Sequence, residues 1–267
     1  MGKPTDINAI KAIAQSYNLP VIYDAAEAHG AEYKGKSIGC HGDMTCYSLY
    51  FAHIISTIEG GIICTDNLQY AEIIRSLRSH GRACKCDSCV LNKTSGYCAK
   101  RFDTETGTDI RFYFERMGFS SKMNELKAAI GLGSLIEYDE ILLKRRQNLH
   151  YLINGFKHFD KWLYTINEGD DEKIGPHAFP FIIKEEAPFK RQELTAFLEA
   201  KGIDTRDLFS SIPTQCPGYR FLGYKEGDFP NAEYIGKHGM HIGVHQDITK
   251  EDCDYILNCF DNFVKNH

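Results

Sequence analysis

The segment from residue 20 to residue 30 constrains the fold most. Pro20-Val21-Ile22-Tyr23 is a short apolar run that ends on Asp24, and Ala25-Ala26-Glu27-Ala28-His29-Gly30 follows at once. Such a run closed by an acid suits a buried strand with a carboxylate at its carboxyl end. The small residues after the acid leave room above it for a flat ligand. Neighbouring segments set this strand in a pattern. Thr5 and Asp6 can cap a helix with apolar positions at Ile7, Ile10, Ile13, Ala14 and Tyr17, and Asn18-Leu19-Pro20 stops it. Residues 45–51 and 61–65 read as strands, and 67–79 as a helix carrying Leu68, Ile73, Ile74 and Leu77. Helices alternating with buried strands predict an α/β chain with a mostly parallel sheet covered on both faces. Such sheets bind ligands at the carboxyl ends of their strands, where Asp24 and the segment after Phe51 lie.

The later chain has a different grain. Residues 82–118 form a long irregular stretch, which is usually functional or mobile. Residues 123 to about 149 read as one long helix with apolar positions at 123, 126, 130 and 136. Beyond it, 177–183 suits a strand, and 191–201 and 250–264 suit helices. The expected organisation is a larger domain over 1–141, with a Cys-rich loop at 82–102, and a small α+β domain over 142–267.

Composition excludes several classes. The 31 Lys+Arg against 36 Asp+Glu give a net charge of −5, so no basic footprint points to nucleic acid. No window approaches the run of about 18 apolar residues that a membrane span needs. Met1 to Ile10 carry no basic region before an apolar core, so no signal peptide is expected and a cytoplasmic setting is. In that setting the 10 cysteines are expected to be thiols or metal ligands, not a disulfide framework.

Three constellations carry chemistry. A buried Asp24 beside a pyridine nitrogen would keep it protonated and make the ring an electron sink; alone, it reads as a cap or loop acid. Ser48 is followed five residues later by His53, and Ser56-Thr57-Ile58-Glu59-Gly60-Gly61 completes a polar turn. A serine, a histidine and a Gly-Gly turn suit an anion and proton-transfer site; alone, His53 reads as a core histidine. Cys84, Cys86, Cys89 and Cys98 offer four thiolates for zinc or an iron–sulfur cluster, or stand as free thiols on a loop.

Read together, these segments resemble the DegT/DnrJ/EryC1/StrS family of pyridoxal-phosphate-dependent sugar aminotransferases. Residues 21–30 are similar to its cofactor strand, and Gly118-Phe119-Ser120-Ser121-Lys122-Met123-Asn124-Glu125 to its G-x-N-x-R/K-M-x-E segment. Gly202-Ile203-Asp204-Thr205-Arg206 and Phe229-Pro230-Asn231-Ala232-Glu233 look like its C-terminal signatures. The resemblance implies a type I transferase fold binding pyridoxal or pyridoxamine 5′-phosphate. Asp24 would pair with the ring nitrogen, Glu27 would lie at the O3′ side, and Ser48 would hold the phosphate. Ser120 and Lys122 would serve the cofactor in a homodimer with shared active sites. Arg206 and His245 are substrate-side candidates.

The family's catalytic lysine belongs where this chain has His53. Imidazole cannot form a Schiff base, but it can move protons. The change resembles the 3-dehydratase branch, which acts on nucleotide-linked 4-keto-6-deoxyhexoses, with His53 and Asp24 as the catalytic pair. One type of that branch regenerates its amine cofactor from glutamate. The other uses a 2Fe–2S cluster and a reductase, which the cysteine quartet resembles, although the chain has Ala26 where that type has a cysteine. A sugar aminotransferase, or an inactive relic with a metal-bearing loop and a binding role, are the alternatives. Family members run substantially longer at the amino end, so the chain is expected to lack the helix terminus that cradles the cofactor phosphate.

Overall fold

The computed structural model describes residues 1–93 and 96–267; Thr94 and Ser95, inside the Cys-rich loop, lie outside the described residues. In chain order the elements are α1 (Ile7–Ser16), β1 (Ile22–Asp24), β2 (Glu32–Tyr33), β3 (Lys36–Ser37), β4 (Met44–Ser48), β5 (Gly61–Cys64), α2 (Leu68–Leu77) and α3 (Val90–Lys93). They continue with α4 (Glu125–Ile136), α5 (Tyr138–Phe156), β6 (Leu163–Thr165), β7 (Glu172–Lys173), β8 (Ala178–Ile183) and α6 (Arg191–Ala200). The last are β9 (Thr205–Asp207), α7 (Pro230–His238), β10 (Gly239–Gly243) and α8 (Lys250–Lys265). By compactness the chain forms two units, each built from more than one stretch of sequence. One unit comprises Met1–Ile7, Ala26–Ile38 and Leu135–His267, and the other Asn8–Ala25 and Gly39–Ser134.

The second unit holds a three-stranded sheet in the order β1-β4-β5. β1 runs parallel to β4, with Asp24 opposite Cys46. β5 runs antiparallel to β4, because the turn between Ser48 and Gly61 brings the chain straight back. The sheet is therefore mixed. β1 is also not the buried strand its apolar run predicts: Ile22 is 59 % exposed, and Ile62 and Ile63 on β5 are 45 % and 48 % exposed. Both are outer strands of this sheet, and among the described residues no strand pairs beyond them. α2 starts where its cap predicts, with Asn67 Oδ1 accepting from Gln69 N (2.9 Å) and Tyr70 N (3.2 Å). The single long helix expected from residue 123 is two helices, interrupted at Glu137 with φ −100° and ψ 2°.

The first unit carries the core. Its antiparallel sheet has the order β6-β8-β10-β9. Met240 lies opposite Phe181 and Ile242 opposite Phe179, and all four are buried with Leu149 and Phe156 of α5, Leu194 and Leu198 of α6, and Phe260 of α8. Burying each such side chain is worth about 1.5–3 kcal/mol. Strand alternation then puts His241, and Arg206 opposite it, on the other face. A smaller sheet, β3-β2-β7, ties the 26–38 segment to this unit, helped by a 2.6 Å Lys173–Glu32 ion pair. Among the described residues, no helix is long and apolar enough to cross a membrane.

Candidate active site

Parallel pairing of β1 and β4 sets their carboxyl ends at one end of the sheet, so Asp24 and Ser48 share it. Ala25 N donates to Cys46 O (2.8 Å) and carries the chain out of β1 directly after the acid. The Cys46 thiol is pushed up by burial first and then by the Asp24 charge. Ser48 Oγ accepts from Tyr50 N (3.1 Å).

The turn that follows is built from its own backbone. Leu49 N donates to Gly60 O and Thr57 N to Leu49 O, both at 2.9 Å. Ile58 adopts a left-handed φ of 68°, with its N–H on Ser56 Oγ (3.0 Å). Thr57 is buried and donates to Glu59 O (3.1 Å); a Cβ at Gly60 would come within 2.4 Å of its hydroxyl. A side chain at Gly60 would thus crowd the closed turn. His53 rides on this frame. Its N–H donates to Tyr50 O (3.0 Å), and its ring stands edge-on to Tyr50 with centroids 5.6 Å apart.

Ser120 and Lys122 line a cavity of about 750 Å³ with Cys46, Tyr47, Arg78 and residues 59–63. The 118–121 segment is zipped to the end of α2: His80 N donates to Phe119 O (2.8 Å) and Ser121 N to Arg78 O (3.0 Å). A Cβ at Gly81 would fall 1.8 Å from Arg116 O, so only glycine allows that approach. Sequence reading missed Arg78, whose helical position gives no functional signal.

Glu27, Arg206 and His245 belong to the first unit. Glu27 faces His177, with Oε1 at 3.6 Å from Nε2. Arg206 is exposed and lies 3.5 Å from Asp204. The His245 carbonyl accepts from Asn148 Nδ2 (2.8 Å), and its ring lies 3.4 Å from Asp247. Burial lowers the His245 pKa, with the Arg145 charge acting in the same direction. His177 and His241 went unnoticed in the sequence because each sits beside apolar strand residues and reads as core.

All ten cysteines are free thiols. Cys84 N donates to Ile110 O (3.3 Å) and Arg101 N to Cys98 O (3.0 Å). Between them Asp109 accepts from Arg101 Nε (2.8 Å) and binds Arg111. Hydrogen bonding from Arg111 holds the Asp109 carboxyl well below the usual range. Burial raises the Cys84 thiol, and Cys86, Cys89 and Cys98 each act on it electrostatically. The four thiols therefore crowd one loop, but no three of their sulfurs lie within 4.8 Å of one another.

Comparison with known proteins draws these segments together. The family model described as DegT/DnrJ/EryC1/StrS aminotransferase family matches residues 1–261. The lipopolysaccharide biosynthesis protein RfbH of Salmonella typhimurium is 30 % identical over 98 % of this chain and 61 % of its own length. The dTDP-4-dehydro-2,6-dideoxy-D-glucose 3-dehydratase of Saccharopolyspora spinosa is 32 % identical over 99 % of this chain and 57 % of its own. The crystal structure of a GDP-4-keto-6-deoxymannose 3-dehydratase mutant with bound GDP-perosamine superposes with a TM-score of 0.81 at 26 % identity, covering 97 % of this chain and 65 % of that one. The chain thus spans less than two thirds of the length of these relatives. With nearly its whole length matched by the family model, the chain belongs to the DegT/DnrJ/EryC1/StrS aminotransferase family.

Proposed function

We propose that the chain serves a pyridoxamine-phosphate-dependent enzyme that removes the C3 hydroxyl of a nucleotide-linked 4-keto-6-deoxy sugar. The observation that carries this reading is an imidazole, His53, on a rigid turn beside the strand end that holds Asp24 and Ser48. The donor set suits such a cofactor: an acid for the ring nitrogen and a serine O–H for the phosphate share one sheet end. Bound there, the cofactor would supply an amine for the C4 ketone and a ring able to take up an electron pair. Asp24 would keep the ring nitrogen protonated, Ser48 would donate to the phosphate, and Glu27 would face the O3′ oxygen. His53 would move the proton at the cofactor C4′ carbon. Ser120 and Lys122 would serve the cofactor phosphate of a second copy, in a cytoplasmic homodimer. Arg206 and His245 are the substrate-side candidates.

Relatives named as 3-dehydratases of dTDP- and GDP-linked keto sugars support this reading. Relatives named as UDP-amino-sugar transaminase and GDP-perosamine synthase support a second one, amino transfer. One experiment separates them. The chain is incubated with pyridoxamine phosphate, glutamate and a 4-keto-6-deoxy sugar nucleotide. A 3-deoxy product that disappears in His53→Ala supports dehydration, and full activity in His53→Ala removes the role given to His53. A lysine adduct of pyridoxal phosphate trapped by borohydride supports amino transfer instead.

The thiol quartet adds one further element to the proposal. Cys84, Cys86, Cys89 and Cys98 would hold zinc or an iron–sulfur cluster, and a cluster would call for a reductase partner. Metal analysis of the anaerobically purified chain tests this. Stoichiometric zinc or iron that is lost in Cys86→Ser supports it, and a metal-free chain overturns it.

A further inference from the structure

His177 has not been given a role. It follows Gly175 and Pro176, and its N–H donates to Gly175 O (2.9 Å), which makes Pro176 the centre of a three-residue turn. The pyrrolidine ring presets φ for such a turn. The side chain that leaves the turn is 10 % exposed, and its Nε2 lies 3.6 Å from Glu27 Oε1.

Glycines lock the backbones around this pair. A Cβ at Gly2 would fall 2.1 Å from Gly175 O and 3.1 Å from Glu27 O, and one at Gly175 would fall 3.0 Å from the Ala28 carbonyl carbon. Gly2 itself has a left-handed φ of 80°, and its carbonyl accepts from Gly175 N (2.9 Å). Three stretches, 1–2, 27–29 and 174–177, therefore cross at backbone contact, all within the first unit. The buried Arg145 braces the turn: Nη1 donates to His177 O (3.4 Å) and Nε to Gln246 Oε1 (2.9 Å).

The lock matters for the carboxylate. The terminal torsion of a glutamate is broad, so the plane of its two oxygens is set by what holds each of them. Glu27 Oε2 lies 3.1 Å from the Met1 amino group, and Oε1 faces the imidazole. A binding group is useful only when its neighbours hold it in the productive orientation. We propose that His177 is a positioning residue, which holds the Glu27 carboxylate turned to accept from the O3′ hydroxyl of the cofactor. The inference rests on the cofactor reading above and adds the group that orients one of its ligands.

Calorimetric titration of the full chain with pyridoxamine phosphate, and with its analogue lacking the 3-hydroxyl, tests it. The wild-type chain should prefer pyridoxamine phosphate. His177→Ala should bind it about tenfold more weakly, the worth of one hydrogen bond to a charged group, and should bind the analogue unchanged. His177→Gln, whose side-chain N–H can stand where the imidazole Nε2 stands, should restore the preference. In a Glu27→Ala background, His177→Ala should cost nothing further. A merely structural role would weaken both ligands alike and would not depend on Glu27. Wild-type affinity for pyridoxamine phosphate in His177→Ala, an equal loss for both ligands, or no preference in the wild-type chain overturns the positioning role and leaves the cofactor reading standing. Failure of the wild-type chain to bind pyridoxamine phosphate overturns both.

Discussion

Gly175 shows how a single missing side chain can fix a loop. A Cβ there would meet His29 O at 2.8 Å, while its N–H donates to Gly2 O at 2.9 Å. Backbone carbonyls cannot swing aside as a flexible side chain can. Gly175→Ala should therefore cost about 1–3 kcal/mol, the range for overpacking a closed site. Denaturant midpoints of the two proteins check this; an unchanged midpoint would mean the loop gives way freely. Asp109 makes a second prediction at this scale. Its folded pKa lies below the unfolded value, chiefly through Arg111. The stability it adds is present above the ordinary carboxylate pKa near 3.9 and is lost as pH falls toward the depressed folded value. Limited proteolysis of the 98–111 segment with an acid-active protease should accelerate as pH falls through that window. Asp109→Asn should already be cleaved fast at neutral pH and lose this acceleration.

Among the elements, helices were the most legible. α1, α2, α6 and α8 begin and end within two residues of their expected limits, because caps and apolar spacing are local properties. α8 illustrates the cap directly: Thr249 Oγ1 accepts from Asp252 N (3.2 Å), while Asp252 Oδ2 accepts from Thr249 N (2.9 Å). Thr249→Ala should cost about 1 kcal/mol, and Thr249→Ser much less, by thermal melting. The break at Glu137 was invisible for a physical reason. Glutamate is a good helix former, and the break lies two residues beyond the limit between the compact units. The apolar positions of α4 stay exposed while those of α5 enter the core of the first unit, yet their spacing runs on without interruption. Two-residue strands such as β2, β3 and β7 carry no period at all; β2 and β3 pair as a tight hairpin, and β7 joins them only when a distant segment of the chain arrives. The site divides the same way. Asp24, Ser48 and His53 were legible because one strand end and one turn hold them. His177 and Arg78 owe their positions to packing between segments far apart in the chain.

At the scale of the whole molecule, the two units differ in how they close. The first unit surrounds its sheet with α5, α6 and α8, and Phe156, Phe179, Phe181 and Phe260 are all less than 2 % exposed. The second leaves apolar side chains in water on several elements: Ile22, Ile63, Leu126 at 77 % and Leu132 at 66 %. α4 is apolar nearly all round, yet only Gly131 on it is buried. A helix of that kind ordinarily lies inside a larger core. Opening free energies should follow this contrast, since amides backed by dense apolar packing exchange only through the largest unfolding events. Hydrogen exchange should be slowest in β8 and β10 and fastest in β1 and β5, the outer strands of the three-stranded sheet. Phe156→Ala, at a cost of about 3–5 kcal/mol, should collapse the protection of β8 and β10. If β1 were as protected as β8 in the isolated chain, the contrast in packing would not govern stability. Protection of β1 gained only on adding a further polypeptide would instead identify the material that closes the second unit.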